Sequence, residues 1–198
     1  MKRYWHDIWL MPALLVFSVG AMAADTTAGA ADRLTFRPRT DAELAPSGQR
    51  GRFAANVAAI RMAKALQDVD RAATADEQSV LAQWSSWGAL PQVFDEQNED
   101  WSAQRAELKE LLNEREWDQA RRTTINAHYT SPAVVGEIWR ALDRLGFDGG
   151  RVLEPGAGSG TFIGLAPAKA TMTGVELDET TAAIAAALAD QPCRRGIP

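Results

Sequence analysis

Apolar residues recur at helical spacing through the middle of the chain. One stripe repeats at intervals of three or four positions and comprises Phe53, Val57, Ile60, Ala63 and Leu66. This spacing predicts an amphipathic helix from Arg50 to about Val69. A capping box of Thr74 and Glu77 predicts the start of a second helix. Two more helices are predicted over 101–112 and 114–120, so residues 50–125 are expected to form a helical region.

Over residues 126–190 the pattern changes to short apolar runs separated by turns. A helix is predicted over 132–146, because it has a favourable proline at its start and a glycine at its end. A strand ending at Glu154 then leads through a glycine-rich turn to a second strand ending at Glu176. A helix over 179–188 follows. This alternation predicts an α/β fold.

Three segments lack such a pattern. Residues 1–23 carry an apolar run after Lys2 and Arg3, which is the layout of a secretory signal; the alternative is an N-terminal extension with no address function. The run is too short and too interrupted to predict a stable membrane span. Residues 24–49 are rich in Ala, Thr, Pro and Gly and are expected to form a linker or an ordered arm. Residues 191–198 are predicted to be an irregular tail.

Composition limits the kinds of partner and site. The 198 residues have room for one ordinary domain and an appendage. The net charge of −5 gives no basic footprint for wrapping nucleic acid. One cysteine excludes an internal disulfide, and with two histidines it offers too few ligands for an ordinary structural zinc site. The tryptophans could stack on bases, but their place in helical segments predicts that they anchor a core.

The glycine-rich turn carries the candidate chemistry. Gly156, Gly158 and Gly160 follow Glu154 at every second position, a spacing that departs from the dinucleotide pattern G-x-G-x-x-G. The Glu154 carboxylate would repel a phosphate and suits an ammonium group instead. Glu176, at the end of the next strand, is the residue type that accepts hydrogen bonds from ribose hydroxyls. An ammonium group and a ribose together describe S-adenosylmethionine.

The run L-E-P-G-A-G-S-G-T-F-I-G resembles the cofactor-binding motif I of class I methyltransferases, in the form found in amino-directed DNA methylases. The upstream H-Y-T-S-P-A-V-V resembles the segment that precedes motif I in N6-adenine DNA methylases. The helical region is similar to the part ahead of the methylase in large phage- and plasmid-type proteins that join an adenine methylase to a helicase. The resemblance covers roughly residues 50–189.

This resemblance implies a Rossmann-like class I methyltransferase domain that binds S-adenosylmethionine and modifies DNA. Tyr129 and Thr130 would contact the methionine part, and Glu176 would bind the ribose. The amino-acid end would be held by Glu154 and by the loop that follows it, whose candidate residues are Pro155, Gly156, Ala157, Gly158 and Gly160. A nucleotide-cofactor site favours a cytoplasmic protein; export is the alternative if residues 1–23 are a signal.

Three features depart from the family pattern, and one is that Pro167 cuts short the helix after motif I. Ser131 stands where the family usually has proline, and the tetrapeptide N-P-P-[FY], which holds the flipped adenine, does not occur. We therefore expect a partial methyltransferase domain, apparently truncated, that is not catalytic alone and that contacts DNA through regions outside this chain or through a complementing chain. The alternatives are a non-catalytic cofactor- or partner-binding module, a remnant of a small-molecule or RNA methyltransferase, and, more distantly, an NAD-dependent oxidoreductase.

Overall fold

The computed structural model describes residues 15–16, 35–69, 71–125, 127–189 and 193–195. The chain is an α/β protein in which a largely helical N-terminal part leads into a small sheet with helices around it. The helices are α1 (Gln49–Val69), α2 (Ala75–Leu81), α3 (Ser102–Leu111), α4 (Glu114–Thr123), α5 (Pro132–Arg144), α6 (Thr161–Gly164) and α7 (Glu179–Leu188). The strands are β1 (Leu15–Val16), β2 (Gly150–Glu154), β3 (Ala170–Glu176) and β4 (Cys193–Arg195).

The sheet has the strand order β1-β2-β3-β4. Its central strands β2 and β3 are parallel, and their register aligns Gly150 with Ala170 and Glu154 with Gly174. β1 pairs antiparallel with β2, and β4 pairs parallel with β3. The strand Cys193–Arg195 lies in the segment that the sequence predicted to be irregular, because backbone pairing along the edge of β3 needs no side-chain periodicity.

The sequence predicted most helix boundaries closely. Thr74 and Glu77 form the predicted capping box, and Ser131 caps α5 through the Val134 amide. α4 is longer than predicted and reaches Thr123. Its start has a second capping box, formed by Asn113 and Glu116, and arginines in its last turn complement the helix dipole.

The helical part has an aromatic core, as its tryptophans predicted. Trp84 and Trp87 are 2% and 1% exposed, and their rings meet edge to face with centroids 5.8 Å apart. In the same cluster, the ring centroid of Phe53 of α1 lies 6.2 Å from that of Trp87 and 6.1 Å from that of Trp101. Burial of these rings, rather than stacking on bases, explains their density in the sequence.

α7 belongs to this same core, although it follows β3 in the chain. Ile184 and Leu188 are buried in one cluster with the residues of α1 and α2. The Trp84 indole N–H also donates a hydrogen bond to Thr181 Oγ1 over 3.1 Å. The helical part and the part that carries the sheet are therefore packed through a shared helix.

A second cluster covers one side of the sheet. Val135 and Trp139 of α5 are buried with Val152 of β2 and Met172 of β3. The Trp139 indole N–H donates to the Phe162 carbonyl oxygen over 3.2 Å and so ties α5 to α6. This packing fixes the turn between β2 and α6.

The segment before α1 is an ordered arm over its described residues. The Phe36 amide donates to the Leu188 carbonyl oxygen over 2.7 Å, and Pro38 is buried. A Cβ at Gly164 would stand 2.4 Å from the Phe36 carbonyl oxygen, so the arm crosses α6 at a position that only glycine allows. Of the predicted N-terminal extension 1–23, only Leu15 and Val16 are among the described residues. No helix in the described part of the chain is long and apolar enough to cross a membrane.

Candidate functional site

The glycine-rich turn lies at the carboxyl ends of the parallel strands β2 and β3. The Ala157 amide donates to the Val175 carbonyl oxygen over 3.0 Å, which attaches the turn to β3. Gly158 and Gly160 have φ angles of +54° and +90°, values that disfavour side chains, and Gly160 precedes the first residue of α6. In parallel sheets this edge is the usual place for a bound ligand.

The Glu176 carboxylate connects the turn to the end of β3. Its Oε2 accepts a hydrogen bond from the Gly158 amide over 2.9 Å. Its Oε1 accepts from the amides of Leu177 and Asp178 over 2.8 Å and 3.0 Å. A carboxylate offers about four acceptor positions, so this arrangement leaves one, on Oε2, for a ligand hydroxyl. If both ribose hydroxyls were to donate hydrogen bonds to Glu176, one of these backbone amides would have to move away.

Tyr129 packs its ring on Gly158. A Cβ at Gly158 would come within 2.9 Å of Tyr129 Cε1, so the contact depends on the absence of a side chain there. Burial raises the pKa of the Tyr129 phenol well above its ordinary range, an effect larger than the lowering by the hydrogen bond to Thr181. The nearby carboxylates of Glu176 and Asp178 raise this pKa further. Tyr129 is therefore a neutral hydroxyl in the wall of the site.

A cavity of about 720 Å³ opens beside these residues. Four predicted site residues line it, namely Tyr129, Gly156, Gly158 and Glu176. The remaining lining residues are Ser86, Glu114, Arg115, Asp118, Gln119, Arg122, Thr123, Ala127, His128, Leu177, Asp178 and Thr181. The volume falls in the ordinary range for a small-molecule or cofactor site.

The other predicted site residues are not in the lining of this cavity. They are Thr130, Glu154, Pro155, Ala157 and Gly160. Pro155 is exposed, whereas Ala157 and Gly160 are buried and serve the shape of the turn. The turn thus offers Gly156 and Gly158 to a ligand.

Glu154 differs most from its predicted role. Its side chain is fully buried, and neither carboxylate oxygen has a hydrogen-bond partner in the described structure. Burial raises the pKa of Glu154 to about 7, although the nearby Gly156 amide opposes the shift. The strand-end carboxylate that the sequence predicted to face an ammonium group is enclosed behind the turn.

The sequence interpretation did not identify the wall formed by α4. Glu114, Asp118 and Arg122 follow one another at intervals of four residues, so they share one face of the helix, and all three line the cavity. This periodicity is visible in the sequence, but it predicts only a solvated helix face. The tertiary packing of α4 near α7 determines which elements lie opposite that face.

Ser86 is a second contribution from the helical part. It is buried, lines the cavity and has a φ of +54°, an uncommon conformation for a residue with a side chain. Asn56 of α1 holds this loop: its Nδ2 donates to the Ser86 carbonyl oxygen over 2.6 Å, and its Oδ1 accepts from the Ser85 amide over 2.9 Å.

Fold and cavity together define an α/β protein with a ligand-sized cavity at the carboxyl ends of its parallel strands, enclosed on another side by α4. No family model matches the chain, and no curated protein or solved structure has a significant match to it.

Proposed function

We propose that this chain is the S-adenosylmethionine-binding portion of a DNA N6-adenine methyltransferase with a Rossmann-like domain. The observation that carries the proposal is the cavity at the ends of β2 and β3, where Glu176, Gly158 and Tyr129 meet. A nucleoside placed there would have its ribose next to Glu176. The free acceptor position on Glu176 Oε2 would then receive one ribose hydroxyl.

The charge of the cavity favours this cofactor over a dinucleotide. The lining contains the carboxylates of Glu114, Asp118, Glu176 and Asp178, which outnumber its two arginines. S-adenosylmethionine carries a sulfonium and an ammonium group, whereas the pyrophosphate of NAD would meet net negative charge at the strand ends. Electrostatic complementarity therefore supports the methyl donor.

Methyl transfer to adenine requires a second site. The tetrapeptide N-P-P-[FY], which would hold the flipped base, does not occur in the 198 residues. We expect this chain to bind the cofactor and to show no adenine methylation alone. Contact with DNA would come from other residues or from a complementing chain, since the net charge is −5.

Calorimetric titration tests the ligand directly. We expect saturable 1:1 binding of S-adenosylmethionine and of S-adenosylhomocysteine, and no heat with NAD at the same concentrations. Binding of NAD without a response to S-adenosylmethionine would contradict the proposal and favour a dinucleotide enzyme. Silence with all three ligands would remove the cofactor proposal altogether.

Substitution of Glu176 tests the placement of the ribose. Glu176→Ala should weaken S-adenosylmethionine binding by about 1 to 3 kcal/mol, because a charged hydrogen bond and the support of the turn are both lost. Glu110→Ala, which removes an exposed carboxylate on α3 outside the cavity, serves as the control and should leave the Kd unchanged. Thermal unfolding of both variants separates loss of binding from loss of fold. Equal affinity of Glu176→Ala and the unchanged protein would exclude Glu176 as a ribose ligand.

A further inference from the structure

We infer that α4 holds the amino-acid end of the ligand, with Asp118 binding the ammonium group and Arg122 binding the carboxylate. The inference rests on the proposed function, because it assumes that the cavity takes S-adenosylmethionine. It assigns to the helical part a role in cofactor binding that the sequence had assigned to Glu154.

α4 follows the cavity along its length. Near its start, Arg115 forms an ion pair with Glu179 over 2.9 Å, next to the Glu176–Asp178 wall. Near its end, the Thr123 hydroxyl accepts a hydrogen bond from Ser86 over 3.1 Å, and the Thr123 carbonyl oxygen accepts from the Ala127 amide over 3.0 Å. From residue 114 to residue 122 the helix advances about 12 Å at 1.5 Å per residue. That length suits a ligand extending from the ribose to the amino acid.

The last turns of α4 present two opposite charges to the cavity. Asp118 and Arg122 both line it, lie one helical turn apart and form no ion pair within the described part of the chain. Arg115, the other arginine in the lining, is already paired with Glu179. A neighbouring carboxylate and guanidinium, both free, match the zwitterionic head of an amino acid.

The alternative ammonium site is not accessible. Glu154 is fully buried and is not part of the cavity lining, and its raised pKa of about 7 leaves it largely protonated below that pH. A neutral, enclosed carboxyl group offers little to a cation. Asp118 is exposed on the cavity side of α4 and carries the charge that the sequence interpretation sought at Glu154.

Arg122 also has an ordinary structural explanation, since a cation in the last turn of a helix interacts favourably with the helix dipole. The adjacent Arg121 provides a matched control. It occupies the same last turn and is exposed, but it is not in the cavity lining. A role limited to the helix dipole would make the two arginines equivalent, whereas a ligand contact would separate them.

The experiment compares three ligands by calorimetry on the full chain. The ligands are S-adenosylmethionine, its decarboxylated analogue, and 5′-methylthioadenosine, which lacks the whole amino-acid end. Arg122→Gln should weaken S-adenosylmethionine binding about tenfold or more, the scale of a lost charge-assisted hydrogen bond, and should leave binding of the decarboxylated analogue unchanged. Arg121→Gln should change neither. Arg122→Lys should restore part of the affinity, because lysine returns the positive charge but not the two parallel hydrogen bonds that a guanidinium donates to a carboxylate.

Asp118→Asn tests the ammonium contact in the same series. It should weaken both ligands that carry the amino group, by about tenfold, and leave 5′-methylthioadenosine unaffected. Equal losses for all three ligands, in either variant, would indicate a structural effect and overturn the inference, as would wild-type affinity of Arg122→Gln for S-adenosylmethionine. Absence of binding by the unchanged protein would instead refute the proposed function, and the inference with it.

Discussion

Glu154 is a carboxyl group enclosed by the protein with no hydrogen-bond partner for either oxygen. Burial raises its pKa from 4.5 to about 7, so the folded protein holds a proton that the unfolded chain releases near pH 4.5. Relative to an ionised Glu154, the proton contributes its full stabilisation below pH 4.5, the pKa of this group in the unfolded chain. The contribution is lost as the pH rises through about 7.

Glu154→Gln should remove this part of the pH dependence. Glutamine keeps the size of the neutral carboxyl group and has no charge to release. Relative to the unchanged protein, the variant should gain about 3 kcal/mol in free energy of unfolding between pH 4.5 and pH 8. Urea unfolding at several pH values measures the difference in stability between the two proteins. A difference independent of pH would show that the folded state does not keep Glu154 protonated.

At the residue scale, the sequence predicted the acids at the strand ends but not their surroundings. Glu154 and Glu176 both close short apolar runs, and their patterns are alike. The Glu154 side chain is enclosed, whereas the Glu176 carboxylate accepts hydrogen bonds from three backbone amides at the cavity wall. This difference comes from the arrangement of the turn above them, which local spacing does not specify.

At the scale of elements, the loop between α2 and the Pro91–Phe94 turn depends on one side chain of α1. Asn56 is fully buried and makes hydrogen bonds with Ser85 and Ser86, the latter in its uncommon backbone conformation. The loop brings Ser86 to the cavity. Asn56 is therefore a positioning residue for this wall of the site.

Asn56→Ala should lower the free energy of unfolding by about 1 to 3 kcal/mol, because it removes the partner of the buried Ser86 carbonyl oxygen and of the half-buried Ser85 amide. Gln67→Ala is the matched control, since Gln67 is an exposed amide on the same helix, and it should change stability by less than about 0.5 kcal/mol. Chemical denaturation gives both values. Similar small losses for the two variants would show that the loop holds its conformation without Asn56.

The bounds of the helices could be predicted from the sequence better than the elements against which each helix packs. The bounds of α7 agree with the prediction over 179–188, and α1 and α5 are also close to their predicted ranges. The wall formed by α4 could not be foreseen, because the periodicity of a charged helix face does not identify the surface opposite it. The sequence of α7 does carry one hint: its alanines and Ile184 lie on more than one face, as expected of a helix enclosed on several sides.

At the scale of the molecule, α7 joins two parts that the sequence had divided at residue 126. Ile184 is fully buried in the core of the helical part, while Ala189, the residue directly after α7, lies in the cluster under the sheet. The two parts are thus expected to unfold together. Tryptophans in both clusters, such as Trp84 and Trp139, can report on each part.

Ile184→Ala should lower the free energy of unfolding by about 2 to 5 kcal/mol, the range for a large-to-small change in a packed core. The transitions seen by tryptophan fluorescence and by far-ultraviolet circular dichroism should remain coincident and shift together. Ala186→Ser, at an exposed position of α7, should shift neither. Two separate transitions, of which only one responds to Ile184→Ala, would show that the parts are independent.

The hydrogen bond from the Phe36 amide to the Leu188 carbonyl oxygen limits how early during synthesis the arm can become ordered. The arm leaves the ribosome early, whereas the end of α7 emerges only after nearly all of the described residues have been made. Until then the Phe36 amide has no partner at Leu188. The arm therefore cannot make this contact with the end of α7 until Leu188 has been synthesised.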